Sequence, residues 1–257
     1  MAQIVLDDRS VRVKIVYYGP ALSGKTTNLQ QLHSRADSCR RGELLSVGTF
    51  QDRTVAFDLP PLQASCARGF EIRLRLVAVP GQAPYAPSRR VALRGVDGIV
   101  FVANSAQDRR EENRQSLREL EQHLTAQDLD PESVPLVMQF NQRDLPGVSS
   151  PVQMDADLNP RQAPVWAAVA NRGEGVLETL RSILMTTMRD VWRRYPLFGA
   201  EAEMPAEAWV RCALADIFAG ELKQAAGSQV RATLPQPARV HSQFAGRRLD
   251  HAACQAY

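Results

Sequence analysis

The most informative stretch of the chain is "YYGPALSGKTTNL", residues 17–29. Gly19, Gly24, Lys25 and Thr26 stand there in the spacing G-x4-G-K-[ST], directly after an apolar run and directly before a run of helical character. A glycine-rich loop between a strand and a helix can direct successive backbone N–H groups at a phosphate, and the helix N-terminus assists. The stretch therefore predicts a loop that binds nucleotide phosphates.

Each residue type in this loop has an expected task. Lys25 is long enough to reach the β- and γ-phosphates, and the hydroxyl of Thr26 is placed to bind Mg²⁺. The remaining nucleotide contacts are expected from neighbouring positions of the loop and the first helical turn: Gly19, Ala21, Leu22, Ser23, Gly24 and Thr27.

Strand-like and helix-like stretches alternate around this loop. Residues 11–18 predict the strand before it, and residues 26–32 open the helix after it. The apolar patterns predict further strands at 71–79, 98–105, 134–140 and 164–169, and helices at 109–124 and 175–194. Ser105 or Asp108 is expected to cap the helix at 109–124. Strands separated by helices indicate parallel βαβ units, with helices on both faces of an α/β sheet.

The segment after Tyr195 differs in composition from the rest. Residues 196–226 are interpreted as a linker followed by an amphipathic helix over Trp209–Leu222. Residues 227–257 are polar and arginine-bearing without periodicity, so we expect them to be disordered. The sequence leaves open whether the helix docks on its own domain, residues 1–195, or on a partner.

Composition and charge exclude several classes of function. The formal net charge of +3 on 257 residues gives no reason to expect nucleic acid as a partner. The four cysteines are scattered without a C-x2-C pair, which disfavours a zinc site or a disulfide framework and fits a reducing cytosol. The N-terminus lacks the apolar core of a signal peptide, and no run is long enough for a transmembrane segment. The expectation is a soluble cytoplasmic protein.

A second motif concerns the nucleotide base. In "FNQRDLP", Asn141 and Asp144 stand at N-x-x-D spacing where a buried strand ends. A carboxylate there can accept two hydrogen bonds from the N1–H and exocyclic amine of guanine, which adenine does not offer. Ala170, at the end of the next predicted strand, is placed to offer its backbone N–H to the guanine oxygen. The expected ligand is therefore GTP or GDP.

Two short stretches between these motifs are candidates for the hydrolysis of GTP. "VPGQ" offers the backbone of Gly81 to a γ-phosphate and the side chain of Gln82 to an attacking water. "DRT" offers Thr54 as a second Mg²⁺ ligand, with Arg53 beside it. From the residue pattern alone, Arg53 is more simply interpreted as a solvated surface charge.

In combination these motifs resemble the bacterial MglA family, the Ras-like GTPases of gliding motility and cell polarity. The likeness runs from about Ile4 to Tyr195, three quarters of the chain. It rests on the following stretches, in which a dash marks a residue outside the match: "KIVYYGP-L-GKTTNLQ", "DRT", "VPGQ", "GVDGIVFVANS", "N-RDLP" and "LNPR--PVW-AVA--GEGV".

The resemblance implies a Ras-like P-loop fold, with a mixed, mostly parallel sheet and helices on both faces, and a GTP/GDP switch that uses Mg²⁺. It implies that Gln82 positions the attacking water, beside Lys25, and that Arg53 is an arginine finger supplied in cis when the switch strand slides. It further implies a GTPase-activating partner of the Roadblock type and polarity effectors. Recruitment to a cell pole or to the inner membrane surface would come through those partners.

Three positions depart from the family pattern. Ala21 replaces a glycine, and its methyl group is expected to crowd the space that Gln82 and the water need near the γ-phosphate. Ala78 stands where Ras-type proteins carry an Asp behind Mg²⁺ and the family usually a threonine, with Asp58 as a candidate substitute. Gln142 replaces a lysine whose stem packs along the nucleotide. Together they predict a nucleotide site with slow or partner-dependent hydrolysis.

Two functions stay open on this basis. One is a GTPase switch whose segments at about residues 45–62 and 80–95 respond to the γ-phosphate. The other is a nucleotide-locked scaffold that binds GTP or GDP through the same loop with negligible turnover. A P-loop ATPase or kinase is disfavoured by Asn141 and Asp144, and by the lack of a separate acidic Walker-B residue after a strand.

Overall fold

The structure, a computed structural model, describes residues 3–5, 10–47, 54–66, 70–81, 86–195 and 205–218. The strands are β1 Gln3–Val5, β2 Ser10–Tyr18, β3 Leu45–Val47, β4 Thr54–Cys66, β5 Phe70–Ala78, β6 Gly98–Asn104, β7 Leu136–Asn141 and β8 Val165–Ala167. The helices are α1 Lys25–Arg35, α2 Ala86–Leu93, α3 Arg110–Thr125, α4 Pro151–Leu158, α5 Val176–Arg194 and α6 Ala206–Ile217.

Eight strands within these ranges form one sheet in the order β3-β4-β5-β2-β6-β7-β8, with β1 paired to β2 off this path. Strands β5, β2, β6, β7 and β8 are parallel, as the alternation of strands and helices predicts. Strands β3 and β4 join antiparallel, which the apolar patterns do not predict. The predicted fold class, a P-loop fold with a mixed, mostly parallel sheet, is confirmed.

The middle of the sheet is buried on both faces. Every residue of β6 and β7 is buried, which explains why neither strand alternates between apolar and polar residues. One face carries α1, α5 and α6, and the other carries α2, α3 and α4. No helix in the described part of the chain is both long and apolar enough to cross a membrane.

Helix α6 packs on its own domain, beside α5 and β4. Trp209 has no exposed surface and joins the core cluster that contains Phe57 of β4. Its ring lies 6.1 Å from that of Trp192 in α5, and the backbone N–H of Asp37 donates to the carbonyl of Ile217 at 2.9 Å. The helix begins at Ala206, three residues before the predicted start at Trp209. Residues 219–222 of the predicted helix lie outside the described ranges. The segment 227–257, which is predicted to be disordered, also lies outside them.

The predicted cap of α3 is wrong. The N-cap position of α3 is Arg109, which makes no side-chain capping bond, so neither Ser105 nor Asp108 has that role. A short 3₁₀ turn at Gln107–Arg109 leads into the helix instead. Asn113, in the first turns of α3, exchanges two hydrogen bonds with the backbone of Asn104 and so fixes the end of β6.

Candidate functional site

The predicted site segments meet at one edge of the sheet. Tyr17 of β2 lies opposite Ala78 of β5 in a parallel pair, so the loops after these strands leave the sheet side by side. Strand β4 runs the other way with Val55 opposite Ala78, which brings its first residue to the same edge. Asn104 pairs with Asn141 at the adjoining ends of β6 and β7. This carboxyl edge is where open α/β sheets bind ligands.

The P-loop between β2 and α1 depends on two glycines. Gly19 has φ +144°, and a Cβ there would lie 2.2 Å from the carbonyl oxygen of Val102. Gly24 has φ +94°, and a Cβ there would lie 2.1 Å from Nδ2 of Asn141. Both conformations favour glycine. The loop therefore passes directly against β6 and against the base motif, and α1 follows Gly24 without a side-chain cap, which suits a phosphate at its N-terminus.

Lys25 is the first residue of α1, and its side chain is buried. Its ammonium group donates to the carbonyl oxygen of Pro20 and to Oγ of Ser23, the latter at 3.4 Å. Burial and, second, the guanidinium group of Arg89 lower the pKa of Lys25 to about 7. A phosphate would supply the negative charge that favours the protonated form. The site thus holds a desolvated amine suited to an anionic ligand.

Asn141 ties the P-loop to the loop after β8. Its Nδ2 donates to the carbonyl of Ser23 at 2.8 Å, and its Oδ1 accepts from the backbone N–H of Ala170 at 2.9 Å. The N–H that the sequence assigns to the guanine oxygen is thus engaged by Asn141 in this structure. A guanine contact from Ala170 must share or replace that bond, and it stays a prediction. Asp144 is exposed three residues further on.

The candidates for hydrolysis are only partly described. Gln82 and Arg53 lie outside the described residues. Gly81 lies against the P-loop, since a Cβ there would be 2.4 Å from the backbone nitrogen of Ala21. Thr54 is the half-buried first residue of β4. The structure therefore brings Gly81 onto the phosphate loop and Thr54 to the same edge of the sheet.

The residues at this edge fit a Mg²⁺ ion that is shared with a nucleotide. Mg²⁺ keeps several waters and uses substrate phosphates together with few protein oxygens. The half-buried Thr26, second in α1, and Thr54 offer hydroxyl oxygens. Asp58 does not fit the role of the acid missing at Ala78, because it is exposed and lies 3.7 Å from Nε of Arg75. Among the described residues no group of three or more His, Cys, Asp or Glu could hold a metal.

Comparisons with known proteins agree with this geometry. The model of the ADP-ribosylation factor family matches residues 1–188. The "Mutual gliding-motility protein MglA" of Myxococcus xanthus (strain DK1622) is 42% identical over 191 residues, which are 74% of this chain and 98% of the relative. The chain belongs to the MglA family. The resemblance stated from the motifs is thereby confirmed, and with it a small GTPase domain, whereas α6 lies beyond residue 188.

Gln142, where the resemblance implies a lysine, contacts the P-loop. It has φ +63°, and its Nε2 donates to the carbonyl of Leu22 at 3.0 Å. Leu22 itself has φ +58° and is 78% exposed. Such left-handed backbone in non-glycine residues costs about 1–3 kcal/mol each and concentrates at functional sites. Gln142 thus supports the loop with a neutral amide and adds no positive charge to the site.

A buried polar network that none of the sequence motifs predicts lies under the site. Asn28 donates to the carbonyl of Gly24 at 3.0 Å and to Oε1 of Gln139 at 2.8 Å. Gln139 donates to Oδ1 of Asn28 and to Oγ1 of Thr179, each at 2.9 Å. Thr179 donates to the carbonyl of Gly175 at 2.6 Å. The network joins α1, β7 and α5, and a glutamine inside the apolar run of β7 was the sequence signal for it.

Proton uptake on nucleotide binding is expected from Lys25. Its pKa is about 7 in the free chain, and a bound phosphate raises it. Above that pKa the neutral amine must gain a proton on binding, so affinity falls as pH rises, while below about pH 6 this group contributes no uptake. Titration calorimetry of GDP in buffers of different ionisation enthalpy should give about one proton at about pH 8.

Lys25→Arg is the matched control for this measurement. The guanidinium group stays protonated throughout this range, so the variant should show no uptake from position 25. Equal uptake by the variant and the unaltered chain would mean that Lys25 is already charged before nucleotide arrives.

Proposed function

We propose that this chain is a GTP/GDP switch that uses Mg²⁺ and hydrolyses GTP slowly or only with an activating partner. The observation that carries the proposal is the bridge made by Asn141 between Ser23 of the P-loop and Ala170 of the loop after β8. Because Asn141 contacts the P-loop and Asp144 follows it three residues later, the exposed carboxylate of Asp144 lies at the same edge of the sheet as the phosphate loop. That carboxylate favours guanine over adenine, since only guanine offers it two N–H donors.

In this proposal the protein surrounds the phosphates with backbone donors and one cation. Lys25 and the first turn of α1 bind the β- and γ-phosphates, and Thr26 and Thr54 are the protein ligands of Mg²⁺. The metal ion would neutralise charge that develops on the phosphate oxygens. Gln82 orients the attacking water and Arg53 stabilises the transition-state charge, both as the family resemblance implies.

Slow turnover follows from the residues around the γ-phosphate. Ala21 carries a methyl group at the point where the P-loop meets Gly81, and a misplacement of ~1 Å can cost about a hundredfold in rate. Ala78 is buried at the end of β5 and offers neither a carboxylate nor a hydroxyl to a water of Mg²⁺. An activating partner that repositions Gln82 or Arg53 would compensate for the methyl group of Ala21.

A nucleotide-locked scaffold is the second candidate. The close approach of Gly81 to the backbone of Pro20 and Ala21 favours it, because this contact restricts movement of the segment at about residues 80–95, the switch segment, relative to the P-loop. The retention of Gln82 and Arg53 at the family's positions favours turnover.

The cellular role is proposed by analogy with the relative. Its printed name refers to gliding motility. We place this chain in the cytoplasm, where it would control cell polarity or motility by GTP-dependent binding of a Roadblock-type activating protein and of effectors. Segments at about residues 45–62 and 80–95 would carry the response. Recruitment to a cell pole or to the inner membrane surface would follow from those partners.

Single-turnover hydrolysis of GTP with Mg²⁺ tests the proposal, with bound GTP and GDP followed together and ATP as the control nucleotide. Slow turnover that disappears in Gln82→Leu is the expected result. Tight binding of GTP without turnover would favour the scaffold. Failure to bind any guanine nucleotide would contradict both candidates.

Ala21→Gly distinguishes a slowed enzyme from a scaffold. Removing the methyl group should raise the single-turnover rate by about tenfold or more, because near-attack geometry is sensitive to displacements of less than ~1 Å. Ala126→Gly, at the exposed C-cap of α3, is the matched control for the loss of a methyl group outside the nucleotide site. An unchanged rate in Ala21→Gly would show that this methyl group is not what limits hydrolysis.

A further inference from the structure

Arg89 of α2 is a buried cation outside the motifs discussed above. The residue is 2% exposed, and arginine is almost never buried to this degree unless its charge is paired. Its Nη2 donates to Oε2 of Glu119 in α3 at 2.9 Å, and the carboxylate side chain of Glu119 is 23% exposed. The pair joins the helix that follows the "VPGQ" segment to the helix beside it.

The same guanidinium group reaches the nucleotide edge. Its Nη1 donates to the carbonyl oxygen of Gly81 at 3.4 Å, at the long end for a hydrogen bond. Gly81 in turn lies against the backbone of Pro20 and Ala21. The positive charge of Arg89 is also close enough to contribute to the lowered pKa of Lys25, after burial. One cation is therefore connected to α3, to the switch segment and to the P-loop.

We propose that Arg89, held by Glu119, is a positioning residue for recognition of the γ-phosphate. The hydrogen bond from Arg89 restrains the peptide plane that contains the carbonyl of Gly81, the residue whose backbone is the candidate contact for the γ-phosphate. Arg89 thereby sets the orientation in which Gly81 lies against the P-loop. The inference rests on the proposed function, because it concerns the phosphate that distinguishes GTP from GDP.

A purely structural ion pair makes a different prediction from a positioning pair. If the pair only fastens α2 to α3, its loss lowers the stability of the fold and weakens GTP and GDP binding equally. If Arg89 positions Gly81, its loss weakens selectively the binding of a nucleotide that carries a γ-phosphate. Helix α2 keeps a link to the turn that follows α3 in the variants, since Nε2 of Gln127 donates to the carbonyl of Arg90 at 3.1 Å.

The experiment compares Arg89→Met, Arg89→Lys and Glu119→Gln with the unaltered full-length chain. Three quantities are measured: the affinity for a non-hydrolysable GTP analogue relative to GDP, the single-turnover rate, and the midpoint of thermal unfolding. The control variant is Arg114→Met, which removes an ion pair of 2.9 Å between α3 and α4. We expect Arg89→Met to lower the affinity ratio and the rate by about tenfold each, with GDP affinity within about twofold.

Arg89→Lys should lower the ratio of GTP-analogue affinity to GDP affinity less than Arg89→Met does, because lysine keeps the positive charge. Glu119→Gln should also lower this ratio less than Arg89→Met does, because the guanidinium group remains. Arg114→Met should change at most the unfolding midpoint. Equal loss of both nucleotides in Arg89→Met, or a change in the midpoint alone, would overturn the inference. If the unaltered chain binds both nucleotides but hydrolyses no GTP, the proposed GTPase activity is refuted. The affinity ratio in the variants would still decide the role of Arg89. Absence of guanine nucleotide binding in the unaltered chain would overturn both.

Discussion

Gly81→Ala should reduce the single-turnover rate of GTP hydrolysis by about a hundredfold. A Cβ at this position would lie 2.4 Å from the backbone nitrogen of Ala21 and 2.5 Å from the carbonyl carbon and oxygen of Pro20. These are backbone atoms, so they cannot rotate away as the end of a side chain can. The P-loop is itself confined at Gly19 and Gly24, so the switch segment must move and carry Gln82 out of position. The measurement is single-turnover hydrolysis with Mg²⁺.

Gly147→Ala is the matched control for this effect. Gly147 also lies in a loop, has φ +67°, and would place its Cβ where no atom lies within 4 Å. Backbone strain alone should then cost about 1 kcal/mol of stability and leave the rate unchanged. A rate in Gly81→Ala within about threefold of the unaltered chain would show that the contact between Gly81 and the P-loop does not govern hydrolysis.

Trp209→Ala should lower the free energy of unfolding of the full chain by about 3–5 kcal/mol. The indole of Trp209 is fully buried, packs beside Trp192 of α5 and belongs to the core cluster that includes Phe57 of β4. Its removal leaves a large cavity between α6 and the sheet that neighbouring side chains cannot fill. Equilibrium unfolding in urea, monitored by far-ultraviolet circular dichroism, measures the change.

Arg211→Ala provides the comparison within the same helix. Arg211 is exposed, so its truncation should change the free energy of unfolding by less than about 0.5 kcal/mol. A loss below about 1 kcal/mol in Trp209→Ala would mean that α6 is not an integral part of the domain in solution. The result bears on the switch, because β4 begins with the predicted Mg²⁺ ligand Thr54 and passes beneath α6.

Local sequence was sufficient for the P-loop, for the base motif and for the central strands. The spacing from Gly19 to Thr26 encodes a turn whose glycines adopt backbone angles that other residues avoid, and those angles are present at Gly19 and Gly24. Mainly apolar runs without alternation encode strands that are buried on both faces, as β6 and β7 are. In each case neighbours along the chain carry the information, so a short window of residues suffices.

The contacts that turn these motifs into one site join distant parts of the chain. Asn28 meets Gln139 across 111 residues, and Arg89 meets Glu119 across 30. No periodicity identifies the partners of such pairs: a glutamine in the apolar run of β7 indicates a buried polar contact, but not that Asn28 supplies it. The antiparallel attachment of β4 and the docking of α6 have the same origin, because apolar faces can be buried in several ways. Composition and spacing thus specify the phosphate loop and the class of fold, whereas the packing of the whole sheet determines which polar groups hold that loop and which surface α6 covers.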